Sequence, residues 1–314
     1  MSLATKQKTE IVSIPYICAA GTDVGLRRLN NEDTFVFDAE RGFFMVVDGM
    51  GGHEKGEVAA KIAAETMQTG IRKIENSAEI RLRDSIVLAN NAVFECAQKE
   101  LSDMGCVLTA LLIENETATI GHVGDTRLYK IHRGEFNKLT TDHSFVGQLE
   151  EEGELSEKRL LEHPRRHEVT RCVGFEEKSF EDEGFADIYQ TGFEPDAAFL
   201  LCSDGLSDLL TAAQIHEIIA ENAAMPQKIV KHLIGKANEL GGKDNITVIF
   251  VGGRDFAETA DRADARPKVS KKYKIFGLIL NRWAFLIYGL LLGGSVVLLL
   301  LQRLFEAPLE VPAP

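Results

Sequence analysis

The chain has 314 residues, of which 45% are hydrophobic and 26% charged, and its formal net charge is −13. This length and composition are typical of a globular protein with at least one substantial core. The acidic balance argues against the basic face that nucleic-acid binding requires, so no nucleic-acid partner is predicted.

Cysteine usage indicates a reducing compartment. The chain has five cysteines, an odd number, and no pair shows CxxC spacing. A disulfide framework and a zinc–thiolate site are therefore both disfavoured. Residues 1–14 form a polar N-terminal tail that includes Lys6 and Lys8 and lacks the apolar stretch of a signal peptide. We therefore predict a cytosolic globular part.

Short apolar runs predict strands, and longer segments with apolar residues every three or four positions predict helices. In chain order the predicted strands lie at about 14–20, 34–38, 43–48, 107–113, 117–123, 127–132, 136–139, near 188, and at 198–202 and 246–251. The predicted helices lie at 58–74, 80–98, 145–152, 157–162, 212–221 and 226–240. Because strands come in runs and helices in pairs, the order predicts α+β layers rather than alternating βαβ units.

The end of the chain has a different composition. Residues 254–282 form a charged linker with a basic end, and 284–301 are eighteen consecutive residues without a charge. That length predicts a transmembrane helix over 283–302, with 303–314 as a short tail. Because Lys and Arg are concentrated upstream, we predict a single-pass protein of the cell membrane, with the globular part cytoplasmic and the C-terminus outside. The alternatives, a buried helix and a membrane-surface helix, are disfavoured because the run is apolar all round.

Aspartates stand where predicted strands begin or end. Asp48 and Asp204 come at the ends of two apolar runs, and Asp244 stands two residues before a third. Such positions fix carboxylates at the rim of a sheet, where several of them would repel one another unless a divalent cation lay between them. The pattern predicts a metal site assembled from distant parts of the chain. Oxygen ligands without a His/Cys cluster favour Mg²⁺ or Mn²⁺ over zinc.

Six short segments carry the polar residues of this candidate site: 28–33, 48–53, 121–127, 141–144, 203–208 and 242–247. Each alone is a weak signal, since an Asp-Gly after a strand is most often only a turn. Together and in this order they resemble the PP2C (PPM) family of metal-dependent protein serine/threonine phosphatases, in particular its bacterial branch, over about residues 15–252. The resemblance implies a phosphatase domain at 15–253, built as a β-sandwich of two antiparallel sheets flanked by helical layers.

The resemblance also implies a role for each carboxylate. Asp48 resembles the residue that bridges two Mn²⁺ or Mg²⁺ ions, and Asp204 and Asp244 resemble the remaining protein ligands of the first ion. Glu32 and the backbone carbonyl of Gly49 resemble the ligands of the second ion. A hydroxide bridging the two ions would then attack the phosphorus in line, with no phosphoenzyme.

Further residues match positions around the two ions. Arg28 matches the arginine that grips the substrate phosphate, a task for which its fork of donors is suited. Asp33 resembles the carboxylate that orients the metal-bound water. Asp125 and Asp208 resemble the residues that hold a third, weaker ion in bacterial members.

The general acid is not fixed by the resemblance. Met50 stands where many eukaryotic members carry a histidine proposed for that role, and a thioether has no proton to donate. His53 and His143 are the candidates to replace it. For each of them the alternative is a local hydrogen-bonding role.

Residues 145–174 resemble the flap beside the active site of bacterial members. Arg165 and Arg166 within it are predicted either to contact acidic flanks of a phosphoprotein or to form structural salt bridges. The implied substrates are phosphoserine and phosphothreonine in proteins, with a Ser/Thr protein kinase and its targets as partners and the membrane as a contact of the C-terminal helix. The alternatives are a catalytically inactive scaffold or sensor with this fold, and a phosphatase for a small phosphorylated metabolite.

Overall fold

Ten strands and eight helices occur in the described residues, which are 16–51, 55–72 and 76–260 of this computed structural model. The strands are β1 (Tyr16–Asp23), β2 (Asp33–Asp38), β3 (Phe43–Gly51), β4 (Met104–Glu114), β5 (Thr117–Val123), β6 (Arg127–His132), β7 (Glu135–Lys138), β8 (Asp187–Gly192), β9 (Ala198–Cys202) and β10 (Ile246–Gly253). The helices are α1 (Lys55–Ile71), α2 (Ala78–Glu100), α3 (Phe145–Glu151), α4 (Glu157–Leu161), α5 (Asp204–Ser207), α6 (Ala212–Glu221), α7 (Pro226–Glu239) and α8 (Phe256–Ala260).

The strands form two antiparallel sheets of five strands each. The first sheet has the order β1-β10-β9-β6-β7 and the second the order β2-β3-β4-β5-β8. Helices α1 and α2 cover the outer face of the second sheet, and α6 and α7 cover that of the first. The predicted α+β fold, with two antiparallel sheets and flanking helices, is confirmed.

Both faces of the central strands are buried, and their side chains divide between two cores. In β3, Phe43, Met45 and Val47 belong to the core beneath α1 and α2. Phe44 and Val46 belong to a second core between the two sheets. Because successive strand residues point to opposite faces, a strand covered on both sides reads as a continuous apolar run. This explains why the apolar runs predict these strands without polar alternation.

Helix boundaries follow local signals. Ser77 caps α2 by accepting a hydrogen bond from the N–H of Ile80, and Thr211 and Gln214 form a capping box at the start of α6. Helices α5 and α8 have only four and five residues, too few for a periodic pattern of apolar residues to predict them. Core contacts extend into α8, where the ring of Phe256 lies 5.6 Å from that of Phe250.

The predicted C-terminal membrane helix is contradicted. Within the ranges that the structure describes, no helix is long and apolar enough to cross a bilayer. The predicted span 283–302 itself lies outside the described residues, as do 1–14 and 303–314. An uncharged run of sufficient length is necessary for a spanning helix but does not by itself establish one. The transmembrane helix, and the single-pass membrane location that depends on it, are therefore withdrawn.

His122 on β5 is fully buried. Thr109 Oγ1 lies 2.9 Å from its Nδ1, and the carbonyl oxygen of Thr141 lies 3.1 Å from its Nε2. Burial, reinforced by the neighbouring His143, lowers the pKa of His122 to about 3. Between that value and the pKa of about 6.5 in the unfolded chain, the folded state binds fewer protons. The neutral imidazole therefore stabilises the protein above pH 6.5, and this contribution is lost as the pH falls.

Replacing His122→Asn should remove this pH dependence. Between pH 7 and pH 5, the free energy of unfolding of the wild type should fall relative to that of the variant by up to about 1.4 kcal/mol per pH unit. Chemical denaturation of both proteins at a series of pH values measures the difference, and subtracting the two curves cancels titrations that they share. A difference that stays constant with pH would contradict the prediction.

Candidate metal centre

The predicted carboxylates come together where the ends of the two sheets meet. Asp48 near the end of β3 lies directly opposite Asp33 at the start of β2 in the second sheet. In the first sheet, Asp204 begins α5 just after β9, and Asp244 stands just before β10, the strand that pairs with β9. The fold therefore brings together four residues that are far apart in the sequence.

Two hydroxyl groups tie the sheets together at this point. Ser203 Oγ and Thr247 Oγ1 of the first sheet donate to Asp33 Oδ2 of the second, at 2.7 and 2.6 Å. All three residues are buried. The bonds fix the position of the Asp33 carboxylate and the relative position of the two carboxylate-bearing sheet ends.

Burial and mutual repulsion raise the pKa values of the clustered carboxyls. Burial, followed by the charges of Asp33 and Asp204, raises the pKa of Asp48 well above its usual range. Burial, followed by the charge of Asp125, does the same to the pKa of Asp204. The pKa of Asp33 is raised to about 6 and that of Asp125 to about 7, again chiefly by burial. A divalent cation among these groups would oppose the shifts and hold the carboxylates ionised.

The residues present fit such a cation. Among the described residues, Asp204 Oδ1 is a buried oxygen without a hydrogen-bond partner, which is what a coordinating atom would be before metal binds. The predicted side-chain ligands all offer carboxylate oxygens, the donors that Mg²⁺ and Mn²⁺ prefer. At Gly49, whose carbonyl is a further predicted ligand, a Cβ atom would lie 2.1 Å from the carbonyl oxygen of Gly56. Only glycine fits there.

Glu32 precedes β2 in the chain, and its carboxylate lies against the N-terminus of α1. The backbone N–H of Gly56 in the first turn of that helix hydrogen-bonds the Glu32 carboxylate. A Cβ at Gly56 would lie 2.9 Å from Glu32 Cδ, so glycine is needed for this close approach. Burial raises the pKa of Glu32, whereas Arg28 and Gly56 oppose the shift. The helix terminus thus holds Glu32 in place and favours its charged form.

Arg28 lies at the solvent side of the cluster. Its Nη2 donates to Asp244 Oδ2 at 2.8 Å, and its Nη1 lies 3.9 Å from Glu32 Oε2. About half of its side chain, 48%, is exposed. The guanidinium therefore stands between the carboxylates and solvent, where an incoming phosphate would meet its donors.

The residues predicted for a third ion lie beside Asp204. The charges of Asp125 and Asp208 both raise the pKa of Asp204, so the three carboxylates are within electrostatic reach of one another. Asp208 Oδ2 lies 3.5 Å from Nδ1 of His167, a flap residue. One ligand atom each from His167, Asp204 and Asp208 lie within 4.8 Å of one another. His167 is not predicted as a ligand from the sequence, because a single histidine in a charged stretch carries no spacing signal.

The two flap arginines make structural contacts. Arg165 pairs with Glu168 at 2.6 Å, and its guanidinium lies 3.7 Å from the centre of the Phe145 ring. Arg166 Nε donates to Asp208 Oδ2 at 3.2 Å. Of the two predicted roles, these contacts favour the structural salt bridges.

His53 and His143 are the two predicted general acids. His53 lies outside the described residues. His143 is only 7% exposed, and it accepts a hydrogen bond from the N–H of Gly124 at its Nδ1, with a distance of 3.0 Å. Its Nε2 lies 3.3 Å from Asp187 Oδ2. Because both ring nitrogens are engaged with protein groups, His143 has none available for a leaving group.

Asn245 fixes the segment that carries Arg28 and Glu32. Its Oδ1 accepts from the N–H of Glu32 at 2.8 Å, and its Nδ2 donates to the carbonyls of Val24 and Asn30 at 3.0 Å each. The side chain is only 4% exposed. This role cannot be predicted from the sequence, because the hydrogen-bond partners of Asn245 lie 213 to 221 positions away along the chain. Its place beside Asp244 is the one available signal.

A cluster of buried carboxylates with an arginine at its rim, on a fold of two antiparallel sheets, is the arrangement expected of a metal-dependent phosphatase. The chain belongs to the protein phosphatase 2C family, whose sequence model it matches over residues 21–230. It is 33% identical over 240 residues to the serine/threonine phosphatase stp of Listeria innocua, a match that covers 73% of this chain and 93% of that protein.

Solved structures agree with this assignment. The serine/threonine phosphatase PstP/Ppp of Mycobacterium tuberculosis superimposes with a TM-score of 0.68 at 30% identity, covering 76% of this chain and 98% of that one. The catalytic domain of PstP in complex with two manganese ions gives a TM-score of 0.65 at 28% identity, with coverages of 76% and 97%. The predicted family, the enzyme class of protein serine/threonine phosphatase and the dependence on Mn²⁺ or Mg²⁺ are confirmed.

Replacing Asp48→Asn should stabilise the cation-free protein and abolish its stabilisation by Mn²⁺. Without a cation the substitution relieves the repulsion around Asp48, whereas Mn²⁺ at about 100 times its Kd should stabilise the wild type by about 2.7 kcal/mol. Thermal unfolding with chelator and with Mn²⁺ measures both effects. The control Asp84→Asn, on α2, should respond to Mn²⁺ as the wild type does. Equal responses of wild type and Asp48→Asn would contradict the prediction.

Replacing Asn245→Ala should weaken Mn²⁺ binding by about 10- to 100-fold, because Glu32 loses the bond that orients its backbone. Calorimetric titration with Mn²⁺ measures the affinity. The matched control is Asn222→Ala, which also removes a buried amide that donates to a backbone carbonyl, that of Ile218. Asn222→Ala should lower stability without changing the affinity; the same loss of affinity in both variants would refute a specific role for Asn245.

Proposed function

We propose that Asp48, Asp204, Asp244 and Glu32 hold two divalent cations with which the protein hydrolyses phosphoserine and phosphothreonine in proteins. The observation that carries this proposal is the convergence, from both sheets, of carboxylates whose pKa values are raised by burial and by one another. Asp48 would contribute to both cations, Asp204 and Asp244 to the first, and Glu32 with the carbonyl of Gly49 to the second. When bound, the cations lower the pKa of a water molecule and neutralise charge on the phosphate.

Asp33 is proposed to orient the attacking water. Ser203 and Thr247 both donate to its Oδ2, so the carboxylate cannot rotate without breaking two hydrogen bonds. Its Oδ1 is then held in one orientation, in which it can accept a hydrogen bond from water. This is a positioning role for a carboxylate whose own place depends on both sheets.

Arg28 is proposed to bind the substrate phosphate. Its half-exposed guanidinium is anchored on Asp244 and retains further N–H donors for phosphate oxygens. A planar fork of donors can bind two oxygens of a phosphate dianion at once, and a lysine cannot reproduce this geometry. Arg28 would thus place the phosphorus over the carboxylate cluster.

Asp125 and Asp208 are proposed to hold a third, weaker cation. Their charges act on Asp204, and His167 brings an imidazole nitrogen to the same place. Arg166 already pairs with Asp208, so a cation there would have to compete with a flap arginine. This competition supports weaker binding than at the two principal positions.

Proteins phosphorylated on serine or threonine are the substrates, and we propose a Ser/Thr protein kinase and its targets as partners. The support is chemical, since such a kinase forms the phosphoester bond that this site cleaves. We propose a phosphatase domain at 15–253, in which the last strand ends at Gly253; core packing continues beyond it to Phe256 in α8. An inactive scaffold would be expected to lack ligands, whereas each predicted carboxylate is present and clustered.

The wild-type protein should hydrolyse a phosphothreonine peptide in Mn²⁺ and lose this activity with a chelator. Asp48→Asn and Asp244→Asn should each lower kcat/KM by at least about 100-fold. Arg28→Lys should raise KM by about 10-fold or more, because the bidentate contact is lost. Asp84→Asn serves as the control and should keep full activity. Activity that survives the chelator, or that survives both aspartate substitutions, would refute the proposed function.

A further inference from the structure

His143 lies between the loop that carries Asp125 and the flap. The N–H of Gly124 donates to His143 Nδ1 at 3.0 Å, and the N–H of His143 donates to the carbonyl of Gly124 at 2.6 Å. Gly124, the residue before Asp125, is therefore hydrogen-bonded to both the ring and the backbone of His143. An imidazole nitrogen that accepts a hydrogen bond carries no proton, so the ring proton of a neutral His143 is on Nε2.

The other side of His143 is bonded to Asp187 and to the flap. Nε2 lies 3.3 Å from Asp187 Oδ2, so its N–H points toward a carboxylate at the start of β8. Arg171 Nη1 lies 3.0 Å from Nε2 and 3.1 Å from Asp187 Oδ1. With the ring proton on Nε2, both Nη1 and Nε2 are donors, so neither donates to the other. Both instead donate to the carboxylate of Asp187. In addition, the N–H of Thr170 donates to the carbonyl of His143 at 2.8 Å.

Gly124 packs closely against β4. Its φ of +107° lies in the left-handed region, and a Cβ there would lie 2.1 Å from Val107 Cγ1. The loop is thus held by β4 on one side and by His143 on the other. A change in the position of the His143 ring would be transmitted directly to the backbone at Asp125.

We propose that His143 is a positioning residue that fixes the Gly124–Asp125 backbone and makes its position depend on the flap through Asp187 and Arg171. The inference rests on the proposed function, in which Asp125 holds the weaker cation. His143 acts through the loop and does not touch the substrate. The flap residues and the weaker cation site are therefore energetically coupled.

The test compares His143→Ala with His143→Asn, because an asparagine Oδ1 can take the place of Nδ1 and accept from the N–H of Gly124. In the full-length protein, His143→Ala should speed hydrogen exchange of the Gly124 amide at least about 10-fold and raise the Kd of the weakest Mn²⁺ site by about 10-fold or more. His143→Asn should restore most of both. The matched control His132→Ala removes another histidine–carboxylate contact, at 3.0 Å from Asp196, and should change neither quantity.

Two results would overturn the inference. One is a His143→Ala variant whose Gly124 exchange rate and weakest Mn²⁺ Kd equal those of the wild type. The other is a His143→Asn variant whose values match those of His143→Ala. If His143→Ala does not fold, Asp187→Ala replaces it and should change both quantities in the same direction; unchanged values would again overturn the inference. A wild type without Mn²⁺-dependent activity would refute the proposed function instead, while the exchange result at Gly124 would still test the link between His143 and the loop.

Discussion

Buried carboxylates lie close together where the ends of the two sheets meet, and their burial and mutual repulsion govern how this end of the molecule is built. Four of them, Asp33, Asp48, Asp125 and Asp204, have raised pKa values, chiefly because burial removes them from water. Hydrogen bonds from Ser203 and Thr247 offset part of the free-energy cost of burying a carboxylate, but they do so at Asp33 Oδ2 alone. Divalent cations would offset the remainder, so the same arrangement that weakens the cation-free protein provides the driving force for metal binding.

The fold makes this arrangement possible by holding the sheets rigidly. Strands such as β3 contribute to a core on each face, so neither sheet can slide without disturbing two layers of packing. On that base, side chains from distant segments fix the loops of the site. Asn245 holds the segment with Arg28 and Glu32, and His143 holds the loop with Asp125. The proposed metal centre thus depends on the sheet ends and on the buried polar side chains that support them.

The sequence is sufficient to predict the parts whose signal is local. Apolar runs locate the strands, and the positions of Asp48 and Asp204 at their ends predict a cation site there. The supporting residues cannot be predicted from the sequence because their partners are distant: Asn245 hydrogen-bonds to residues more than 200 positions away, and the contacts of the His143 ring form only once β8 and the flap are in place. The apolar run near the C-terminus is the opposite case, since its length and lack of charge are necessary for a membrane helix but not sufficient.

A calorimetric titration of Mn²⁺ into the metal-free protein, with hydrolysis of a phosphothreonine peptide followed in parallel at each step, tests whether the carboxylate cluster is a two-cation site. At least two Mn²⁺ ions should bind per chain, and activity should rise only as the second site fills. In Asp48→Asn both binding and activity should be lost together. Full activity at one bound ion or none, or an Asp48→Asn variant that binds two ions as tightly as the wild type, would contradict the central claim.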